Sequence, residues 1–407
     1  MKKNNSILPL TSLQYYLTIR YFPKEKSIIT PITAKNFQDK YSDPNGIKTE
    51  KILKEIIKKT LTNQSGSCVI SLSGGIDSTL CLGLVRNVFP KKKITGICAI
   101  FENAFDESKA AKKVADKFDA DFKIVKIKSI FENLPEIVYI SKKPMWNRYH
   151  HYVAKEGKKY GDLFISGDGA DELFGGYTFR YNKFLMLSQK KYDWKSKVKN
   201  YLECHNRDWV PDQKEIFGKS IKFDWKKIHQ HFKLYFSNNL QPIKQVMLAD
   251  YNGKLLYDFI PAGQTISKHY KLEKFPIFLN PRLTKFALGL PISQKYDENS
   301  NKGKLILRRI SKRMGVEHID EKRGFSPDLL IDWQKKGKKI TESFLLDRES
   351  YIYKKNIINP SWIRKAIDIV TDDGDIRYLN RLISILALEV WYRIFVTKQL
   401  DPLSKLK

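Results

Sequence analysis

The sequence predicts an α/β protein: a parallel sheet covered by helices, followed by a helical C-terminal half. Three observations carry this. Between residues 68 and 167, short continuous apolar runs alternate with amphipathic stretches, as expected for strands buried on both faces. After about residue 180 the strand signal fades and helix-periodic segments replace it. Two glycine-rich loops end apolar runs, at 73–78 and 166–177, and ligands of parallel sheets bind at the carboxyl ends of the strands.

The elements follow in order. LQYYLTIRYF, near the N-terminus, is rich in aromatic and β-branched residues and reads as a short strand. The segment after it, up to about residue 45, holds turn formers and no helical period. Residues 50–61 place Ile52, Leu53, Ile56, Ile57 and Leu61 on one helical face. The alternation then begins: strand 68–73, helix 76–89, strand 94–101, helix 106–118, strand 121–127, a helical stretch 129–140 with a break near Pro135, helix 146–160, strand 162–167, and a short helix from 170. Beyond it, FLMLSQKKYDWKSKVKNYLE, KKIHQHFKLYF, KLILRRISKRM and YLNRLISILALEVWYRIFV read as helices. The last is apolar nearly all round, which predicts a buried core helix.

Composition excludes several classes. Hydrophobic residues make up 42% and charged residues 29%, so the chain can bury a large core. No run of about 18 apolar residues occurs, so no membrane span is expected. The N-terminus lacks the apolar core and cleavage site of a secretory leader. Cys68, Cys81, Cys98 and Cys204 form no C-x-x-C pair, which argues against a zinc ribbon or disulfide framework and suits a reducing cytoplasm. The net charge of +30 invites a nucleic-acid partner, but scattered lysines also arise from biased base composition, and no basic-aromatic stacking motif accompanies them. His150-His151 has no Cys/His cluster around it and reads as a helical surface pair.

The sharpest feature is Ser73-Gly74-Gly75-Ile76-Asp77-Ser78, between an apolar strand and a helix. The glycines permit a tight turn and close approach of a ligand, and the turn amides with the helix N-terminus make an anion site. No lysine follows the glycines, so this is not the G-x-x-x-x-G-K-S/T loop. Asp77 makes sense beside phosphates if Mg²⁺ lies between them. Ser166-Gly167-Asp168-Gly169-Ala170-Asp171-Glu172-Leu173-Phe174-Gly175-Gly176-Tyr177 ends a second strand. Its acids either cap the following helix or meet Asp77 over one sheet edge to build a Mg²⁺–nucleotide site.

Together the two motifs resemble a known family. SLSGGIDS is similar to the pyrophosphate loop of the N-type ATP pyrophosphatases, and SGDGADELFGGY to the second signature of asparagine synthetase-like enzymes. Asp106-Glu107, Lys304-Leu305-Ile306-Leu307-Arg308, Lys322-Arg323-Gly324-Phe325 and LALEVWYRIF resemble further elements of that family. The resemblance implies an adenine nucleotide alpha hydrolase-like fold over residues 47–400, with a nucleotide-binding part (47–180) and a mainly helical substrate part (181–400). It implies adenylation of a carboxylate by ATP with Mg²⁺, release of pyrophosphate, and attack by ammonia or an amine to give an amide and AMP. Carried over residue by residue, Ser73, Gly74, Gly75, Asp77 and Ser78 would hold pyrophosphate. Asp77 and Asp171 would ligate Mg²⁺, and Ser71, Ile100, Ser166 and Gly167 would line the adenosine pocket. Asp168 would serve acyl-adenylate formation. Lys322 would stabilise developing negative charge.

Two departures matter. Glutamine-using members begin their glutaminase domain with a nucleophilic Cys after Met1. Here position 2 is Lys2, and residues 1–46 resemble only the tail of that domain. Ammonia is then expected to arrive free, from a separate glutaminase subunit, or to be replaced by another amine. In the substrate half, the family's L-E-x-R-x-P-F-L-D run reads Leu272-Glu273-Lys274-Phe275-Pro276-Ile277-Phe278-Leu279-Asn280, and its upstream Asp-Arg pair reads Gln264-Thr265. The resemblance implies aspartate or a related acid as the acceptor, and these departures in the substrate half leave a sugar acid, a peptide or RNA as alternatives. RNA ranks low among these. The expected setting is the cytoplasm without membrane contact, and a homodimer is compatible with the resemblance.

Overall fold

The structure is a computed structural model and describes residues 8–24, 26–102, 106–188, 193–316 and 328–407. Its centre is a parallel five-stranded sheet in the order β3-β2-β1-β4-β5: β1 Cys68–Ser71, β2 Ile94–Phe101, β3 Asp121–Ile127, β4 Leu163–Ser166 and β5 Glu273–Pro276. β1 is its central strand, between β2 and β4, and the apolar residues of β1 and β4 are buried, as a sheet covered on both faces requires. Chain order runs outward from β1 to β3, then returns to place β4 on the other side of β1. This makes the β1–β4 boundary a topological switch point, the position of the ligand crevice in sheets of this kind.

Helix α2 Ile47–Leu61 precedes β1; α3 Ile76–Val88, α4 Ser108–Lys117, α5 Leu134–Ser141 and α6 His150–Gly157 connect β1 to β4, and α7 Ala170–Phe174 follows β4. Pro135 sits in the first turn of α5, where its missing N–H costs nothing, so it starts a helix rather than breaking one. The β4-to-β5 crossover holds α8 Thr178–Leu187, α9 Trp194–Glu203, α10 Trp225–Phe236, α11 Pro242–Asp250 and α12 Ile260–His269. After β5 come α13 Pro281–Leu288 and α14 Leu305–Arg313. The final long helix, Ile376–Phe395, is buried on nearly every side, with Leu379, Leu382, Ile383, Leu386 and Val390 fully enclosed.

The structure corrects the sequence reading at four places. The segment read as an N-terminal strand is a helix, α1 Leu10–Ile19. Its Leu13, Tyr16 and Leu17 stand at helical spacing and are buried, and Tyr16 Oη donates to the Ser384 carbonyl at 3.0 Å, so packing against the final helix overrides local β preference. β5 lies in the half where no strand was expected. The single long helix expected at 184–203 is two, α8 and α9, with residues 189–192 outside the described set. His151 is fully buried, 3.3 Å from Tyr270 Oη through Nδ1, and burial pushes its imidazole down to about 3. It is a neutral core residue rather than half of a surface pair. The four cysteines are free thiols in buried positions, and no helix among the described residues is long and apolar enough to cross a membrane.

Candidate active site

β1 ends at Ser71, and the chain turns through Ser73, Gly74 and Gly75 into α3. Gly74 has φ +69°, and a β-carbon there would lie 2.9 Å from Ala110 Cβ and 3.0 Å from the Ala111 amide of α4. Conformation and space both demand glycine at this turn. Ser78 Oγ, in the first turn of α3, accepts from the Ser73 amide at 3.2 Å and donates to the Gly75 carbonyl at 3.0 Å. The loop is thus cinched onto the N-terminus of a 13-residue helix, a cradle suited to phosphate oxygens. Ile100, half-buried near the end of β2, and Ser71 flank the same edge.

The second loop leaves β4 at Ser166, on the neighbouring strand. Gly167 packs on Asp77, and a β-carbon there would come within 2.8 Å of Asp77 Cβ, so the two loops meet directly. Asp77 and Asp171 converge on one cation, the ammonium of Lys304, at 2.6 Å and 2.5 Å. A β-carbon on Gly176 would overlap both the Asp171 carboxylate and the Lys304 chain, so this glycine makes the contact possible. Burial works to deprotonate Lys304, but Asp171 and Asp77 outweigh it and hold the ammonium above its ordinary range.

The three acids of this loop part company, contrary to the expectation that they share one cation. Asp171 joins Asp77 at Lys304. Asp168 accepts from Ser166 Oγ at 3.0 Å and pairs with Lys274 of β5 at 2.5 Å. Burial raises its carboxyl, yet Lys274, His150 and the Ser166 hydroxyl together hold it below the usual carboxylate range. Glu172 points into the protein and takes a hydrogen bond from Tyr177 Oη at 2.7 Å. Burial, with Asp171 nearby, pushes its carboxyl up to about 8.

Every site residue proposed from sequence within the described set, from Ser71 to Asp171, lies at this one sheet edge. Lys322 falls outside the described residues. Two contributors went unrecognised: Lys304, noted only as part of a motif, and Lys274, noted only as part of a divergent run. No group of three or more His, Cys, Asp or Glu side chains among the described residues could cage a metal. Two converging carboxylates beside an anion cradle do match Mg²⁺, which keeps waters and takes its other ligands from phosphates.

The fold and site define a class: a parallel α/β protein with a glycine-turn cradle and a pair of carboxylates at its switch point. The chain belongs to the asparagine synthase family, whose model matches residues 48–393. It is 24% identical to a putative asparagine synthetase [glutamine-hydrolyzing] of Mycobacterium tuberculosis over 94% of this chain and 62% of that protein. It is 23% identical to asparagine synthetase [glutamine-hydrolyzing] 1 of Bacillus subtilis over 81% of this chain and 56% of that protein. The chain therefore spans roughly three-fifths of the length of these curated relatives. Among solved structures, an NH3-dependent NAD synthetase from Campylobacter jejuni is similar over 49% of this chain and 99% of its own, at 14% identity and a TM-score of 0.27. An NMN synthetase from Francisella tularensis covers 57% of this chain and 97% of its own, at 15% identity and 0.28.

Proposed function

We propose that the chain is an AMP-forming amide ligase that adenylates a small carboxylic acid and transfers ammonia or an amine to the activated acyl group. The observation that carries this reading is the meeting of the 73–78 and 166–177 loops, with Asp77 and Asp171 aimed at one point beside the helix-α3 cradle. The cradle amides and the hydroxyls of Ser73 and Ser78 would bind the β- and γ-phosphates. That leaves the α-phosphorus facing the crevice, where an acceptor carboxylate oxygen attacks it and pyrophosphate departs. Mg²⁺, held by Asp77 and Asp171, would supply charge neutralisation for the leaving group. Lys304 would turn its ammonium to the phosphates once the carboxylates engage the ion, stabilising the same charge. Attack of the amine nitrogen on the acyl carbon then expels AMP. Aspartate or a related acid is the favoured acceptor. The divergent β5 run, which borders this crevice, supports an acceptor other than aspartate as the second reading.

The test is carboxylate-dependent exchange of labelled pyrophosphate into ATP, across a panel of L-aspartate, succinate and glucuronate. A panel of amines and product analysis follow. The expected products are AMP and pyrophosphate, with exchange lost in Asp77→Ala. ADP and phosphate as products, or full exchange in that variant, would contradict the reading.

A further inference from the structure

Asp168 belongs to a second charged centre, distinct from the one at Lys304. Its partner, Lys274, stands in β5 opposite Phe164 of β4, and its ammonium reaches Asp168 beyond the end of β4. The ammonium lies over Gly263 of α12, where a β-carbon would overlap Nζ, so the space it occupies exists because residue 263 has no side chain. The Lys274 side chain is 15% exposed and that of Asp168 26%, which leaves the pair open on one side. His150, at the head of α6, lies close enough to Asp168 for the two to interact electrostatically.

On the amide-ligase reading, an acid awaiting activation brings its own carboxylate to a sheet end that already holds this one. In a half-buried site two such anions repel strongly unless a cation stands between them. An ammonium has three N–H donors, so Lys274 can hold Asp168 and a second oxyanion together. We propose that Lys274 is an acceptor-positioning residue: it neutralises Asp168 and draws the acceptor carboxylate into line beside it. This rests on the amide-ligase reading. It adds that the acceptor is bound as an anion on the β5 side of the crevice, by a lysine that plays no part in holding ATP.

The test combines two measurements. In the exchange assay with the best acid of the panel, Lys274→Met should raise the acid's KM about tenfold or more and leave that of ATP within about twofold. Lys274→Arg should restore most of the affinity. Gly263→Ala, which crowds the ammonium without removing it, should shift the acid's KM in the same direction. An unchanged acid KM in Lys274→Met, or an equal rise for ATP, overturns the proposal. The ion pair is read separately, without turnover, from a thermal double-mutant cycle of Lys274→Met and Asp168→Asn. Additive effects would remove the pair and the proposal with it. Coupled effects in a wild-type protein that exchanges with no acid would sink the ligase reading and the acceptor role, while the pair itself stands.

Discussion

At Gly176 one methyl group decides whether the site can form. Alanine there would drive into the Asp171 carboxylate and the Lys304 chain, so Gly176→Ala should reduce exchange activity by about 100-fold or more while the fold persists. Circular dichroism on the variant separates lost chemistry from lost structure. Glu172 offers a second measurement at this scale. Its folded carboxyl titrates at about 8, above its ordinary value, so between the two the folded protein binds more protons than the unfolded chain. Stability from this group is therefore full at low pH and lost as pH rises toward 8. Glu172→Gln keeps a partner for Tyr177 and should flatten the fall in melting temperature between about pH 5 and 8. A fall as steep as wild type would mean that Glu172 is already ionised. The loop acids were legible because carboxylates between glycines are rare and conspicuous. Lys304 and Lys274 were not, because each is one of 74 basic residues and nothing local sets it apart.

Among the elements, β1, β2 and β4 were readable because each is a continuous apolar or β-branched run, and β3, a half-exposed edge strand, because its Phe122, Ile124, Val125 and Ile127 follow a helix at strand length. β5 was not. Glu273-Lys274-Phe275-Pro276 carries two charges and a proline, which only an edge strand accepts, and it is defined by pairing with β4 rather than by its own pattern. α1 was misread for the converse reason. Its aromatic residues favour a strand locally, and the helix is imposed by the surface it packs against. That surface makes a measurable claim about the N-terminal segment. Leu17 is fully buried against distant elements, and Arg20, at the helix end, pairs with Asp208 at 2.9 Å. Leu17→Ala should therefore destabilise the protein by about 2–5 kcal/mol in chemical denaturation. A change under about 0.5 kcal/mol would show the segment to be a loose appendage.

For the molecule as a whole, the +30 charge and the acidic site pull in opposite directions. Excess like charge strains the compact state, and salt screens it. The melting temperature should rise by several degrees between about 20 and 200 mM salt. A fall over that range would mean that attractive ion pairs outweigh the net repulsion. The layout of the sheet has a further consequence, for biosynthesis. β4 is fully synthesised at residue 166, but its edge partner begins at residue 273 and Lys304 comes later still. Until then the nascent chain carries an apolar strand with a bare edge and two loop acids without their counter-ion. Long-range pairing of this kind forms late, and a bare edge invites wrong partners. Chains stalled within the α8–α12 crossover would thus be the aggregation-prone species, and a chaperone that shields β4 during that interval would improve the yield of soluble protein.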